Sequence, residues 1–168
     1  MKALTIHQPW ASLLARGAKR FETRSWATNY RGPIAIHASK KRVSGLDVLR
    51  MPVDAVADGL GVCRPCDTES SYSFWEQCLE NEYYGAIIAS AELIGCWLIY
   101  DCTSSYGTGY GAKGIRADGG LIITPCCVEY QFGNFTTGRY AWEFSNMTLL
   151  PDPIPAAGRQ GLWNWHEP

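Results

Sequence analysis

Within eight residues, G-A-K-R-F-E-T-R (Gly17–Arg24), an ammonium, a carboxylate and a guanidinium recur at short spacing: Lys19, Glu22 and Arg24. Presented on one extended face, such a set neutralises phosphate and hydrogen-bonds a base edge or an amide. Trp10, Trp26 and Tyr30 stand nearby in sequence and offer flat faces on which bases stack, alone or beside an arginine. Residue by residue, an ordinary internal salt bridge from Lys19 or Arg24 to Glu22, with the aromatics in a core, accounts for the same pattern. The charge along the chain is a separate signal. The first 42 residues hold nine Lys/Arg, Arg31, Lys40 and Lys41 among them, and one acid, Glu22, a net of +8. The remaining 126 carry six basic and fifteen acidic residues, a net of −9, so that the whole chain is at −1. That asymmetry points to a phosphate-bearing partner.

Other chemistries fare less well. Cys63 and Cys66, in C-R-P-C, have metal-ligand spacing, but a structural zinc takes four ligands and no second CxxC exists. Cys126 and Cys127 are adjacent, and seven cysteines, an odd number, do not make a closed disulfide framework. Free thiols and no metal are expected. Gly109–Gly114 is a formal GxGxxG without the preceding strand and following helix that hold a pyrophosphate, so no dinucleotide cofactor is expected. Of His7, His37 and His166, His37 draws interest because it faces away from Ile34 and Ile36 in an alternating stretch. A solvent-facing or hydrogen-bonded structural histidine is the bland reading, and a ligand contact the sharper one.

These residues need a frame. With 168 residues, 46% of them apolar and 12% aromatic, the chain fits one globular domain, 1–168. No apolar run nears the roughly 20 residues that span a bilayer. The N-terminal stretch has no apolar core of a signal peptide, which makes the cytoplasm the expected compartment. Leu4 and Ile6 alternate with polar residues as a short strand. Trp10, Leu13 and Leu14 take helical spacing between Pro9 and Gly17. Phe21–Trp26 reads as strand or extended loop, and Ile34–Ala38 as a strand. A helical piece is expected near Leu46–Met51, then a Gly/Cys/Pro loop to Asp67, then a helix through Tyr72, Trp75, Leu79 and Tyr83. Gly85–Ile99 suggests a long central strand bent at Gly95. Asp101–Gly120 reads as a loop, Tyr140–Leu150 as a strand, and the Pro-rich tail as irregular packing through Ile154, Leu162 and Trp163. Strands with two or three helices in no βαβ rhythm give an α+β, mainly β fold, a small mixed barrel.

G-A-K-R-F-E-T-R resembles the GxKxxExR signature of ASCH domains, a branch of the PUA-like superfamily. The resemblance extends through L-T-I-H-Q-P-W, R-S-W, Y-R-G-P-I-A-I-H-A-S and the closing R-Y-A-W-E-F and P-I-P-A-A-G-R-Q-G-L-W. It is strong over residues 1–40 and about 139–165, fair over Gly85–Cys96, and slight over the segments 42–82 and 101–138. It implies a PUA-like β-barrel with helices at its openings. A cleft between barrel and N-terminal helix, lined by Lys19, Glu22 and Arg24, is implied with it. It also implies binding of RNA, single-stranded nucleic acid or a modified nucleoside, with Gln8, Trp10, Ser25, Trp26, Tyr30, Arg31, His37, Ser39, Lys40 and Lys41 as further candidates. Some bacterial relatives are small amidohydrolases acting on acetylated cytidine through a Lys, a Thr and a Glu. Lys19 matches the first and Glu92 the last, while Glu22 fills the threonine position. A carboxylate does not replace a hydroxyl nucleophile. A binding domain is therefore the leading expectation, a hydrolase or ribonuclease using Lys19, Glu22 and Glu92 the second, and a protein-interaction module the third.

Overall fold

A computed structural model of the chain describes residues 1–44, 52–62, 79, 82–101, 113–115 and 128–167. Its elements run β1 (Lys2–Ile6), α1 (Trp10–Ala15), β2 (Phe21–Arg24), β3 (Gly32–Ala38), α2 (Val53–Leu60), β4 (Ala86–Asp101), β5 (Lys113–Ile115), α3 (Val128–Gln131), β6 (Tyr140–Pro155) and β7 (Leu162–Asn164). The sheet order is β2-β6-β4-β3-β1-β7, with β5 on β4. β1 and β3 are parallel, and every other pair is antiparallel. A parallel neighbour needs a crossover, and α1 lies on it. The result is an α+β fold whose strands curl into a half-barrel of PUA-like form.

Sequence dictates α1 simply. Gly17 takes φ +77°, a left-handed turn that glycine enters without steric cost, and its N–H closes on Leu14 O. Five of the six helical residues are buried. Leu14 joins Leu4, Ile6, Ile34, Ile36, Leu93 and Trp142 inside the curled sheet, while Leu13 joins Val56, Leu60, Leu79 and Phe132 on the other side. Burying each leucine contributes about 1.5–3 kcal/mol, so the short helix is held by its neighbours, not by its own propensity. Gln8 and Ser12 fasten it further: Gln8 donates to Ser12 Oγ and Tyr83 O, and Ser12 Oγ donates to Glu82 Oε2 at 2.5 Å.

The long β4–β6 ribbon bends because its register shifts at Ile87/Ala89, Ser90/Glu92 and Leu93/Gly95. β6 runs to Pro155, beyond the expected Leu150. Pro151 and Pro153 fall between the Leu149–Ala89 and Ile154–Ile87 pairs, so the missing donors break no ladder bond there. The tail is more regular than expected: Leu162–Asn164 is a strand, paired with Lys2–Leu4. Lys113–Ile115, inside the expected loop, pairs with Ile99–Asp101. The expected Leu46–Met51 piece, the Cys63–Cys66 pair and most of the Tyr72–Tyr83 helix lie outside the described residues. Of that helix Leu79 is helical, and Tyr83 is an exposed, non-helical residue.

Gly95 pairs with Glu143, and a Cβ on it would lie 2.4 Å from Trp97 Nε1. That indole N–H donates to Glu143 Oε2 at 2.7 Å. Gly95→Ala should push the ring off the carboxylate and cost about 1–3 kcal/mol. Urea unfolding should show this as a lower midpoint at unchanged slope; an unchanged midpoint would mean that the ring moves aside freely.

Candidate functional site

The site begins with strand geometry. Along β2 the alternation buries Phe21 and Thr23 and turns Glu22 and Arg24 to the opposite face. Glu129, on α3, fixes the start of this strand: its two oxygens accept from the backbone N–H groups of Arg20 and Phe21 at 2.8 and 2.9 Å. Burial pushes the Glu129 carboxyl above its ordinary value of 4.5, against those bonds and the charges of Lys19 and Arg20. Lys19, with only 1% of its side chain exposed, points back under the sheet. Its Nζ pairs with Glu22 Oε2 at 3.2 Å, donates to Phe132 O and lies 5.7 Å from the centre of the Trp10 ring. Glu22 Oε1 in turn meets Arg24 at 3.3 Å, and Arg24 donates to Thr5 O at 2.8 Å. The internal salt bridge that sequence allowed is present on both sides of Glu22.

Two cavities flank this ionic chain. The smaller, about 350 Å³, is lined by Trp10, Lys19, Glu22 and Thr23 together with Pro52 and the 131–134 turn. The larger, about 600 Å³, is lined by Arg24, Trp26, His37, Ser39 and Lys40, by Thr5 and His7 of β1 and its exit, and by Gly158–Gly161. Among the described residues no Asp or Glu lines it, while Arg24, Lys40 and Arg159 do. Arg24 Nε is buried without a hydrogen-bond partner. Arg24, Lys40 and Arg159 make the hollow cationic, which suits an anion. Trp26 supplies the apolar wall, held edge-on to Trp142 at 4.5 Å.

Other candidates are placed elsewhere. Gln8, 4% exposed, is occupied with α1. Ser25, Arg31 and Lys41 are exposed and line neither cavity. Tyr30 donates to Pro33 O at 2.5 Å, and Arg31 to Thr28 O and Tyr30 O. Glu92 sits on β4 between Pro33 and Ser145, accepts from Asn146 at 3.4 Å, and lines neither cavity. Sequence reasoning passed over Thr5, His7 and Gly158–Gly161. The last falls within the closing P-I-P-A-A-G-R-Q-G-L-W of the resemblance, but a basic residue between two glycines carries no periodicity to place it at a cavity.

The tail reaches the cavity through two anchors. Thr5 Oγ1 donates to Arg159 O at 2.9 Å, and His37 Nε2 meets Ala156 O at 3.0 Å. A Cβ at Gly158 would lie 2.4 Å from His37 Cε1, so only glycine lets the tail lie this close.

Comparison with known proteins gives a consistent picture. The family model described as ASCH domain matches residues 4–147. The chain is similar to Activating signal cointegrator 1 of Homo sapiens, 56% identical over 101 residues, and to that of Mus musculus, 58% identical over 101 residues. Each match covers 60% of this chain and 14% of the relative's length, so the chain spans a small part of these longer proteins.

His37 is 1% exposed, against the solvent-facing alternative, because β3 is covered on both faces: Ile34–Ala38 are all buried. Burial lowers its pKa below the ordinary 6.5, and the bond to Ala156 opposes that shift. Arg24 on β2, Lys40 beyond β3, Arg159 on the tail and His7 beyond β1 line the same hollow. The stability that neutral His37 contributes is fully present above 6.5 and is lost as pH falls from there through the lowered folded value. Ring resonances followed by NMR should place the His37 midpoint below 6.5. A midpoint at or above 6.5 would contradict this.

Proposed function

The chain belongs to the ASCH domain family, and from that premise we propose that it binds RNA or another single-stranded, phosphate-bearing nucleic acid, working as one domain over residues 1–168. The observation that carries this reading is the larger cavity: among the described residues it is lined by three permanent cations, a tryptophan wall and no carboxylate. Phosphate contacts of Lys and Arg supply most of the affinity in such interfaces, and the aromatic wall adds stacking at little cost in sequence selectivity. Its relatives' name, a signal cointegrator, suits a nucleic-acid-associated module within a larger assembly. Glu92 lies outside both cavities, so the arrangement favours binding over the acyl-transfer alternative.

Titration with a short single-stranded RNA by fluorescence anisotropy tests the proposal. Binding should weaken linearly on a log–log plot against salt, with a slope of about −0.7 per phosphate contacted. Lys40→Gln and Arg159→Gln change exposed side chains and leave the core intact. Each should reduce the slope by roughly 0.7, while Arg31→Gln, outside the cavity, should leave it as it is. Salt-independent binding, or equal effects of all three changes, would overturn the assignment to this cavity.

A further inference from the structure

We infer that the smaller cavity reads the Watson–Crick edge of a guanine base, an inference that rests on the nucleic-acid reading above. Glu22 keeps acceptor capacity beyond its ion pairs. An ionised carboxylate accepts at about four lone-pair positions. The ion pairs to Lys19 at 3.2 Å and Arg24 at 3.3 Å engage one on each oxygen, and Glu22 lines the cavity with the others. An ammonium carries three protons. One goes to Phe132 O and one to Glu22 Oε2, and the ammonium lies 5.7 Å from the centre of the Trp10 ring, so Lys19, with 1% of its side chain exposed, serves to hold the carboxylate in place. Two acceptor oxygens therefore stand side by side, each held by an ion pair.

Guanine presents the complement: the N1–H and N2–H donors. Its two adjacent donors meet the carboxylate as a bidentate pair. Uracil offers acceptor, donor, acceptor, and would set its O2 against the carboxylate. Adenine and cytosine each bring one amino donor and place a ring nitrogen acceptor where Glu22 needs a proton. The desolvation penalty for such a mismatch is what gives polar sites their selectivity.

Shape agrees with this. About 350 Å³ is near the lower end of the roughly 300–1,000 Å³ of small-molecule pockets, room for a base more than for a whole nucleotide. Trp10, half-buried, lines the cavity beside Phe132, their ring centres 6.3 Å apart, and gives a face for stacking. The phosphate side has a natural place too. Glu22 lines the small cavity, Arg24 the large one, and the two side chains touch. A base in the first leaves its backbone beside the cations of the second.

The full chain should be titrated at one low salt concentration with five pentaribonucleotides: uridine throughout, or with guanosine, inosine, adenosine or cytidine at the centre. Guanosine should bind about tenfold or more tighter than adenosine, cytidine or uridine. Inosine, which lacks only the N2 amino group, should fall between. Glu22→Gln exchanges one acceptor for a donor and should bring the guanosine-to-adenosine ratio toward one. The inosine arm keeps the test independent of how any variant folds. Equal, salt-dependent binding of all five, or preference for another base, overturns the guanine assignment and leaves the binding reading in place. Failure of all five to bind overturns both.

Discussion

A lysine ammonium kept almost wholly from water sets terms for everything around it. A charge taken into a protein interior costs several kcal/mol unless it is paired and its protons are used. Lys19 meets that demand with partners from three places: Glu22 on β2, the Phe132 carbonyl after α3, and the face of Trp10 on α1. Each of those segments is thereby fixed relative to the others. Glu22 passes the constraint on to Arg24, and Arg24 to the Thr5 carbonyl on β1. One line of charge–charge and charge–dipole contacts thus links the Lys19–Glu22 side of the smaller cavity to the Arg24 side of the larger one.

That arrangement explains why core-like and site-like readings of Lys19, Glu22 and Arg24 competed on such even terms. The salt bridges are real and buried, as an interior pair would be, and the same three side chains also line hollows. A carboxylate shared by two cations retains lone pairs, and so structural and recognition roles coexist in one group. Little in local sequence separates the two, because both demand opposite charges at strand spacing.

Much of the frame was legible. Period-two stretches marked β1, β3 and the first part of β6, a long Ile-rich apolar run marked β4, and the i, i+3, i+4 apolar set before Gly17 marked α1. Gly95 does fall at a register shift of β4. What escaped was non-local. Alternation in Ile34–Ala38 implied one wet face, yet β3 lies inside the sheet with both faces covered, so His37 is buried. Pro151 and Pro153 argued against a strand, but a shift in register makes room for them. Gln8 looked available for a ligand because it lies in a motif. Its amide is consumed by Ser12 and the Tyr83 carbonyl, 75 residues away. The wall formed by Gly158–Gly161 also lies beyond the residues 4–147 that the family model matches.

The tail's attachment bears on when during synthesis this molecule becomes competent. Arg159 is joined to Thr5 across 154 positions of chain, and Trp163 to the same threonine across 158. Contacts of such separation close a large loop and form late. A nascent chain extruded as far as residue 147 already carries Arg24, His37 and Lys40. It has no Arg159, no glycine strap over His37 and no β7 against β1. The complete cationic wall therefore exists only once β7 has cleared the exit tunnel.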